Sequence, residues 1–372
     1  MKVAFRVDAS VQIGTGHVMR CLTLADVLRQ VGAQCVFVCR EHPGNLIELI
    51  RQRGYGVNSL PASSGTHVDD ELMVEGQSNF ATWLGAEWAI DAAQSKVCIG
   101  STAVDWLIVD HYALDIRWEQ MLRSVCRHLM VIDDLANRAH DCDLLLDQNL
   151  GRDERDYDQF VPKSCTLLMG PHFALLRPEF AALRDASLRR RAIPQFKHLL
   201  ITMGGVDQDD ATSKVLEALK ECPLPADLNI TVVMGQHAPW LEQVKYVSAQ
   251  MPLPTEVKCN VENMAQAMAY SDVAIGAAGS TSWERCCLGL PSMIGVLADN
   301  QIFIADALQA AGAAKTFVVN EGMTTLRAVI AELADDPSEL ARMSTRAANV
   351  TDGIGANRIR ATLINIGFAL QA

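Results

Sequence analysis

The chain has 372 residues, of which 49% are hydrophobic and 20% charged, with 24 Gly and 13 Pro. At about 150 residues per domain this length calls for two units, and the composition excludes collagen-like, disordered and low-complexity classes. The 32 Lys and Arg against 44 Asp and Glu leave a formal charge of −12, so nucleic acid and anionic membranes are poor partners, whereas an anionic small molecule held by backbone amides stays compatible.

Val3–Val7 reads as a strand, followed by a Gly-rich turn and a helix carrying Val18, Cys21, Leu22, Ala25 and Leu28 at helical spacing. Cys35–Cys39 is the next strand and Leu46–Arg53 the next helix. Between Leu60 and Gln94 the pattern weakens into Ser, Thr, Gly and acidic residues around Trp83 and Trp88, as expected of an elaborated connection or small insert. Trp106–Val109 is again a strand, then a helix near Trp118–Val125, then the strand Leu129–Ile132. The basic stretch Arg189-Arg190-Arg191 with Pro194 interrupts the rhythm, and His198–Thr202 starts a new strand. Beyond it come Ala211–Lys220 and Met264–Tyr270 as helices, Asn229–Val233 and Val273–Ile275 as strands, and Thr281–Leu288 as a helix. This β-α-β alternation predicts an α/β fold of two Rossmann-like domains, 1–188 and 194–372, facing a cleft at the carboxyl ends of their strands.

The opening Met-Lys-Val-Ala-Phe-Arg-Val-Asp has no apolar run, and no stretch approaches the roughly 18 apolar residues of a membrane span. The 11 cysteines are scattered, with no Cys-x-x-Cys or zinc spacing. A cytoplasmic protein with reduced thiols is expected, Cys286 and Cys287 being packing residues.

The most informative segment is Arg6 to Ala25. Gly14 and Gly16 permit a tight strand-to-helix turn and close approach of a ligand, which puts His17 on the first helical turn. There the helix dipole disfavours imidazolium and favours a neutral ring able to accept a proton; the alternative is a histidine capping the helix against a carboxylate such as Asp8. The third glycine of a dinucleotide fingerprint is missing, position 19 being Met, and no Gly-Lys-Ser/Thr loop occurs. In the second half, Met203-Gly204-Gly205 and Gly276-Ala-Ala-Gly279-Ser280-Thr281 follow apolar strands, and amides at such turns suit a diphosphate. Glu284 either closes a capping box with Thr281 or accepts hydrogen bonds from a ribose diol, and Asn300 and Gln301 either read a bound sugar or lie in a solvent-facing loop. Tyr112, in Asp110-His111-Tyr112 at a strand end, is expected to face ligand; Asp133 and Asp134, ending the next strand, carry no assignment. Asp141-Cys-Asp143 has the spacing of a metal-holding pair, but the flanking leucines favour a structural role, and without His-Glu-x-x-His no metal or cofactor is expected.

The Arg6–Ala25 segment, Asp110-His111-Tyr112, the run from Val131 to Arg138, the run from Leu175 to Phe180 and the stretch from Glu284 to Gln301 together resemble the UDP-2,4-diacetamido-2,4,6-trideoxy-β-L-altropyranose hydrolases of pseudaminic acid biosynthesis. The glycine turns are shared with the wider glycosyltransferase-B group. The resemblance implies a UDP-sugar substrate, with UDP held by the C-terminal domain and the sugar by the N-terminal one. It implies His17 as the catalytic residue, Arg177, Glu284 and Asn300 near UDP, and Tyr112 near the sugar or attacking water. Gly16, Gly204, Gly205, Gly279 and Ser280 complete the expected binding set.

Overall fold

The structure is a computed structural model and describes all residues except 63–78, 101, 260, 262, 298–300, 320–322 and 370–372. The chain forms two compact units, Met1–Leu175 with Gly355–Ala372, and Leu176–Ile354.

The first unit runs β1 (Lys2–Val7), α1 (Gly16–Arg29), β2 (Gln34–Arg40), α2 (Ile47–Gln52), β3 (Gly56–Leu60), α3 (Trp88–Ile99), β4 (Val104–Asp110), α4 (Ile116–Leu122), β5 (Cys126–Ile132), β6 (Leu144–Asp147) and β7 (Thr166–Met169). Its seven strands are parallel in the order β3-β2-β1-β4-β5-β6-β7. Strands covered on both faces read as continuous apolar runs, and β1, β4 and β5 do so: Val3, Ala4, Phe5, Trp106, Leu107, Ile108, Leu129 and Met130 are all buried. The α1 residues picked out by helical spacing, Val18 to Leu28, enter this core as expected.

In the second unit, α5 (Pro178–Arg191) leads into β8 (His198–Thr202), α6 (Ala211–Leu219), β9 (Asn229–Met234), α7 (Leu241–Ser248), β10 (Thr255–Cys259), α8 (Met264–Tyr270), β11 (Val273–Ala277), α9 (Thr281–Cys287), β12 (Ser292–Val296), α10 (Ile302–Ala310), β13 (Ala314–Val318), α11 (Thr324–Asp335) and α12 (Pro337–Ala348). These strands are parallel in the order β10-β9-β8-β11-β12-β13. In both sheets the order reverses beside the first strand, between β1 and β4 and between β8 and β11. Such a switch point opens a crevice at the carboxyl ends of the two strands, where ligands bind.

The division of the chain differs from the linear one expected at 188–194. The basic stretch is the end of α5, and it anchors that helix to the second unit: Arg190 pairs with Asp272, Arg191 donates to the Met268 carbonyl, and Arg184 donates to the carbonyls of Cys287, Ala348 and Thr351. The final helix, α13 (Gly355–Ala369), returns to the first unit, where Ile359 and Leu363 join the α1 core and the Trp106 indole donates to the Leu363 carbonyl. A charge run read as a linker was therefore a helix terminus satisfying carbonyls.

Candidate active site

The turn between β1 and α1 is built by Ser10 and Gly14. The Ser10 hydroxyl accepts from the amides of Gln12 and Ile13, its carbonyl accepts from Gly14 N at 2.8 Å, and Gly14 adopts φ +77°, where a side chain would be strained. Gly16 opens α1 and is exposed; His17 follows, 8% exposed. The pairing of β1 with β4 brings the end of β4 alongside, and Asp110 Oδ1 lies 2.6 Å from His17 Nδ1. Asp110, rather than Asp8, is thus the carboxylate that His17 faces. A carboxylate at Nδ1 holds the proton on that atom and leaves the Nε2 lone pair, which has no partner among the described residues, to accept a proton.

Arg20, one turn along α1, clamps the same carboxylate: Nε donates to Asp110 Oδ2 and Nη2 to Oδ1, each at 2.6 Å, while Nη1 reaches Asp134 Oδ2 at 3.3 Å. Burial would raise the Asp110 carboxyl, but Arg20 and His17 overcome it and hold the group well below the usual carboxylate range. The Tyr112 ring meets the His17 imidazole edge to face at 4.8 Å, and burial, with the nearby Asp134, pushes its hydroxyl up. Phe80 and Trp83, from a short 3-10 turn over Asn79–Leu84, pack on Tyr112 at 4.9 and 5.8 Å, so an apolar aromatic wall stands beside His17.

Asp8 belongs to a deeper layer. Its carboxylate accepts from Arg40 N at 2.7 Å and pairs with Arg6 at 2.7 Å, and His111 Nε2 and His42 Nε2 face its other oxygen. Arg6 and Arg40 share Asp91, 0% exposed, which also accepts from the Trp118 indole. Burial, opposed by Asp8, lowers the His111 pKa and keeps that ring neutral. Asp133 is held by Arg138, Ala136 N and Tyr157. Asp147 accepts from the Tyr157 hydroxyl at 2.9 Å and from Asn149 N; burial, then the nearby Asp134, pushes it up to about 7.

The second unit places its glycine turns at its own switch point. Gly204, at φ +113°, and Gly205 follow β8, and Gly279 and Ser280 follow β11; among the described residues, chain neighbours apart, no atom lies within 4 Å of where a Cβ would stand on Gly204, Gly205 or Gly279. Beneath the second turn lies the buried Arg285 guanidinium, which donates to the Ala277 carbonyl at 2.8 Å and to the Ser282 hydroxyl at 2.9 Å; burial brings its pKa down to about 10. A side chain on Gly276 would collide with it. Ser280 makes no side-chain cap, and Glu284 does not close a capping box: its carboxylate faces Arg177 Nη2 at 3.6 Å, and burial pushes it up to about 6 against the pull of Arg177. Arg177, inside the expected 1–188 domain, instead lies immediately before α5 in the second unit with Glu284. The α6 terminus is occupied otherwise, since Asp207 accepts from the amides of Ala211 and Thr212. Asn300 lies outside the described residues, and Gln301 accepts from Leu297 N.

Asp141 and Asp143 both bind Arg123. Cys286 and Cys287 are buried, as expected of packing residues. Among the described residues no cluster of three metal-ligating side chains occurs, and no helix is long and apolar enough to cross a membrane. Sequence reasoning missed Asp110, Arg20 and Phe80. Arg20 carries the i, i+3 signal from His17, but Asp110 becomes a partner only once β4 is known to pair with β1.

Residues 198–357 match the glycosyltransferase family 28 C-terminal domain. The UDP-2,4-diacetamido-2,4,6-trideoxy-β-L-altropyranose hydrolase of Campylobacter jejuni is 26% identical over 288 residues, 77% of this chain and 89% of that protein. An uncharacterised protein of Methanocaldococcus jannaschii is 25% identical over 298 residues, and the spore coat polysaccharide biosynthesis protein SpsG of Bacillus subtilis is 29% identical over 156 residues. These two matches cover 79% and 42% of this chain, but the chain spans only about half the length of either relative, 55% and 44%. Among solved structures, MurG of Acinetobacter baumannii superposes with a TM-score of 0.69 at 17% identity, covering 98% of this chain and 99% of that one. The fold is of the glycosyltransferase-B type. The UDP-GlcNAc 2-epimerase of Neisseria meningitidis shares it with a TM-score of 0.60 at 13% identity, covering 98% and 100% of the two chains.

Proposed function

We propose that the protein is a nucleotide-sugar enzyme that hydrolyses a UDP-sugar at the anomeric carbon, releasing UDP and the free sugar. The observation that carries this reading is the His17–Asp110 pair at the first sheet's switch point. Asp110 keeps the proton on Nδ1, so Nε2 takes a proton from water as it attacks the anomeric carbon on the face opposite the diphosphate, with inversion. General-base assistance of this kind contributes about 10²- to 10⁴-fold. A nucleoside diphosphate departs as a stabilised anion, so no carboxylic acid is required to protonate it. Amides of the Gly204-Gly205 and Gly279-Ser280 turns, with Arg177, stabilise the developing charge, and Glu284 accepts from the ribose hydroxyls. The 26% identity to the Campylobacter hydrolase supports UDP-2,4-diacetamido-2,4,6-trideoxy-β-L-altropyranose as the substrate, which would place the reaction in pseudaminic acid biosynthesis. Phe80, Trp83 and Tyr112 offer an apolar surface to the methyl groups of such a sugar.

The match to a glycosyltransferase family favours a second reading, transfer from the same donor to a hydroxyl acceptor. Incubation with 2,4-diacetamido UDP-sugars and no acceptor separates the two, with the anomer of the product followed by NMR. Stoichiometric UDP and free sugar are expected, and His17→Ala should keep UDP-sugar binding while losing turnover. UDP release that requires an added acceptor would establish the transferase reading instead.

A further inference from the structure

A carboxylate pressed against Nδ1 does two things to an imidazole: it orients the ring, and it favours the protonated form. A base that works near neutral pH needs the first without too much of the second. The groups that face His17 are Arg20 and Cys21 from α1, Asp110 and Tyr112 from the end of β4, and Asp134, reached through Arg20 and Tyr112, from the end of β5. Cys21 Sγ lies 3.5 Å from Asp110 Oδ2, and burial pushes the thiol up, so it is a neutral neighbour. The remaining charges are two carboxylates and one guanidinium. Arg20 takes both oxygens of Asp110 at 2.6 Å and stands 3.2 Å from His17 Nδ1, close enough to oppose an imidazolium directly. Its remaining nitrogen reaches Asp134, whose charge also acts on Tyr112.

We propose that Arg20 is a positioning residue of the His17 base: its guanidinium shares the Asp110 carboxylate with the imidazole and ties it to Asp134, so that Asp110 orients His17 while Arg20 balances its charge. Without Arg20 the ring faces an uncompensated Asp110, with the charge of Asp134 behind it. With Arg20 but no Asp134, the ring faces one carboxylate and a guanidinium committed to it. The two changes therefore move the imidazole in opposite directions, which a residue serving only to fill space would not do.

This inference rests on His17 being the base, but its test does not require turnover. The ring titration of His17 is followed by NMR in the full ¹⁵N-histidine-labelled chain, with His17→Ala providing the assignment. Arg20→Met should raise the His17 pKa by about one unit or more, and Asp134→Asn should lower it. The acid limb of the UDP-release profile should move in the same two directions. Shifts of the same sign, or two shifts below about 0.3 unit in folded variants, overturn the proposal. If Arg20→Met fails to fold, the sign of the Asp134→Asn shift alone decides, a zero or upward shift refuting it. Should the wild-type protein release no UDP from any UDP-sugar, the hydrolase reading fails while the titration still rules on Arg20.

Discussion

Asp110→Asn is the sharpest perturbation of the site. The carboxylate accepts three hydrogen bonds of 2.6 Å, one at His17 Nδ1 and two from Arg20. An asparagine has one acceptor oxygen, which can stand at the Oδ1 position and serve His17 and Arg20 Nη2, or at the Oδ2 position and serve Arg20 Nε. In the second orientation the amide NH₂ points at His17 Nδ1 as a donor, which reverses the tautomer: the ring proton moves to Nε2 and the lone pair that should take a proton from water is lost; in the first it opposes the Arg20 Nε–H, donor against donor, and loosens the clamp that orients the ring. Removing the negative charge also weakens the imidazole as a base. The expected loss is the full general-base contribution, about 10²- to 10⁴-fold in kcat, or about 3 to 5 kcal/mol at 1.36 kcal/mol per decade. UDP binding should change little, because the groups expected to hold UDP lie in the other compact unit. The assay is UDP release under single-turnover conditions, with UDP affinity measured by calorimetry and folding checked by circular dichroism. In the double variant with His17→Ala the two losses should coincide rather than multiply, as they act through one imidazole. A kcat within about threefold of wild type, or multiplicative losses in the double variant, would refute the dyad.

The other carboxylates give two further tests. Asp147 is 0% exposed, with its carboxyl pushed up to about 7, so the folded state holds a proton that the unfolded chain releases near pH 4. Stability should therefore fall as pH rises from about 4 to about 7, by on the order of 3 kcal/mol, and urea denaturation of Asp147→Asn should lack this slope. Glu284, with its pKa near 6, binds as the carboxylate in the proposed ribose contact. Its advantage for UDP should be present above pH 6 and vanish below it; calorimetry should show the wild-type to Glu284→Gln affinity ratio dropping toward one through that pH, and a pH-independent ratio would remove Glu284 from the ribose.

Much of the architecture was legible because parallel strands buried on both faces write themselves as apolar runs. Val3–Val7, Trp106–Val109 and His198–Thr202 could be read for that reason, as could α1 from its 3.6-residue spacing. Short strands such as β6 and β7, four residues each, are below the length at which a pattern separates strand from helix. The division of the chain was misread because Arg189, Arg190 and Arg191 look the same in sequence whether they are solvated in a linker or close a helix against carbonyls, and no local signal tells α13 to return to the first unit.

By itself, the sequence determined that a glycine turn precedes a helix with His17 in its first turn, because position 14 takes a positive φ that favours glycine, and it likewise determined the glycine turns after β8 and β11. Only the tertiary structure decided which carboxylate His17 meets. Asp8 is nine residues away and Asp110 ninety-three, yet the parallel pairing of β1 with β4 lays the end of β4 against the start of α1 and commits Asp8 to Arg6. Strand order is a property of the whole sheet, so the partner of His17 is written in no segment of the chain.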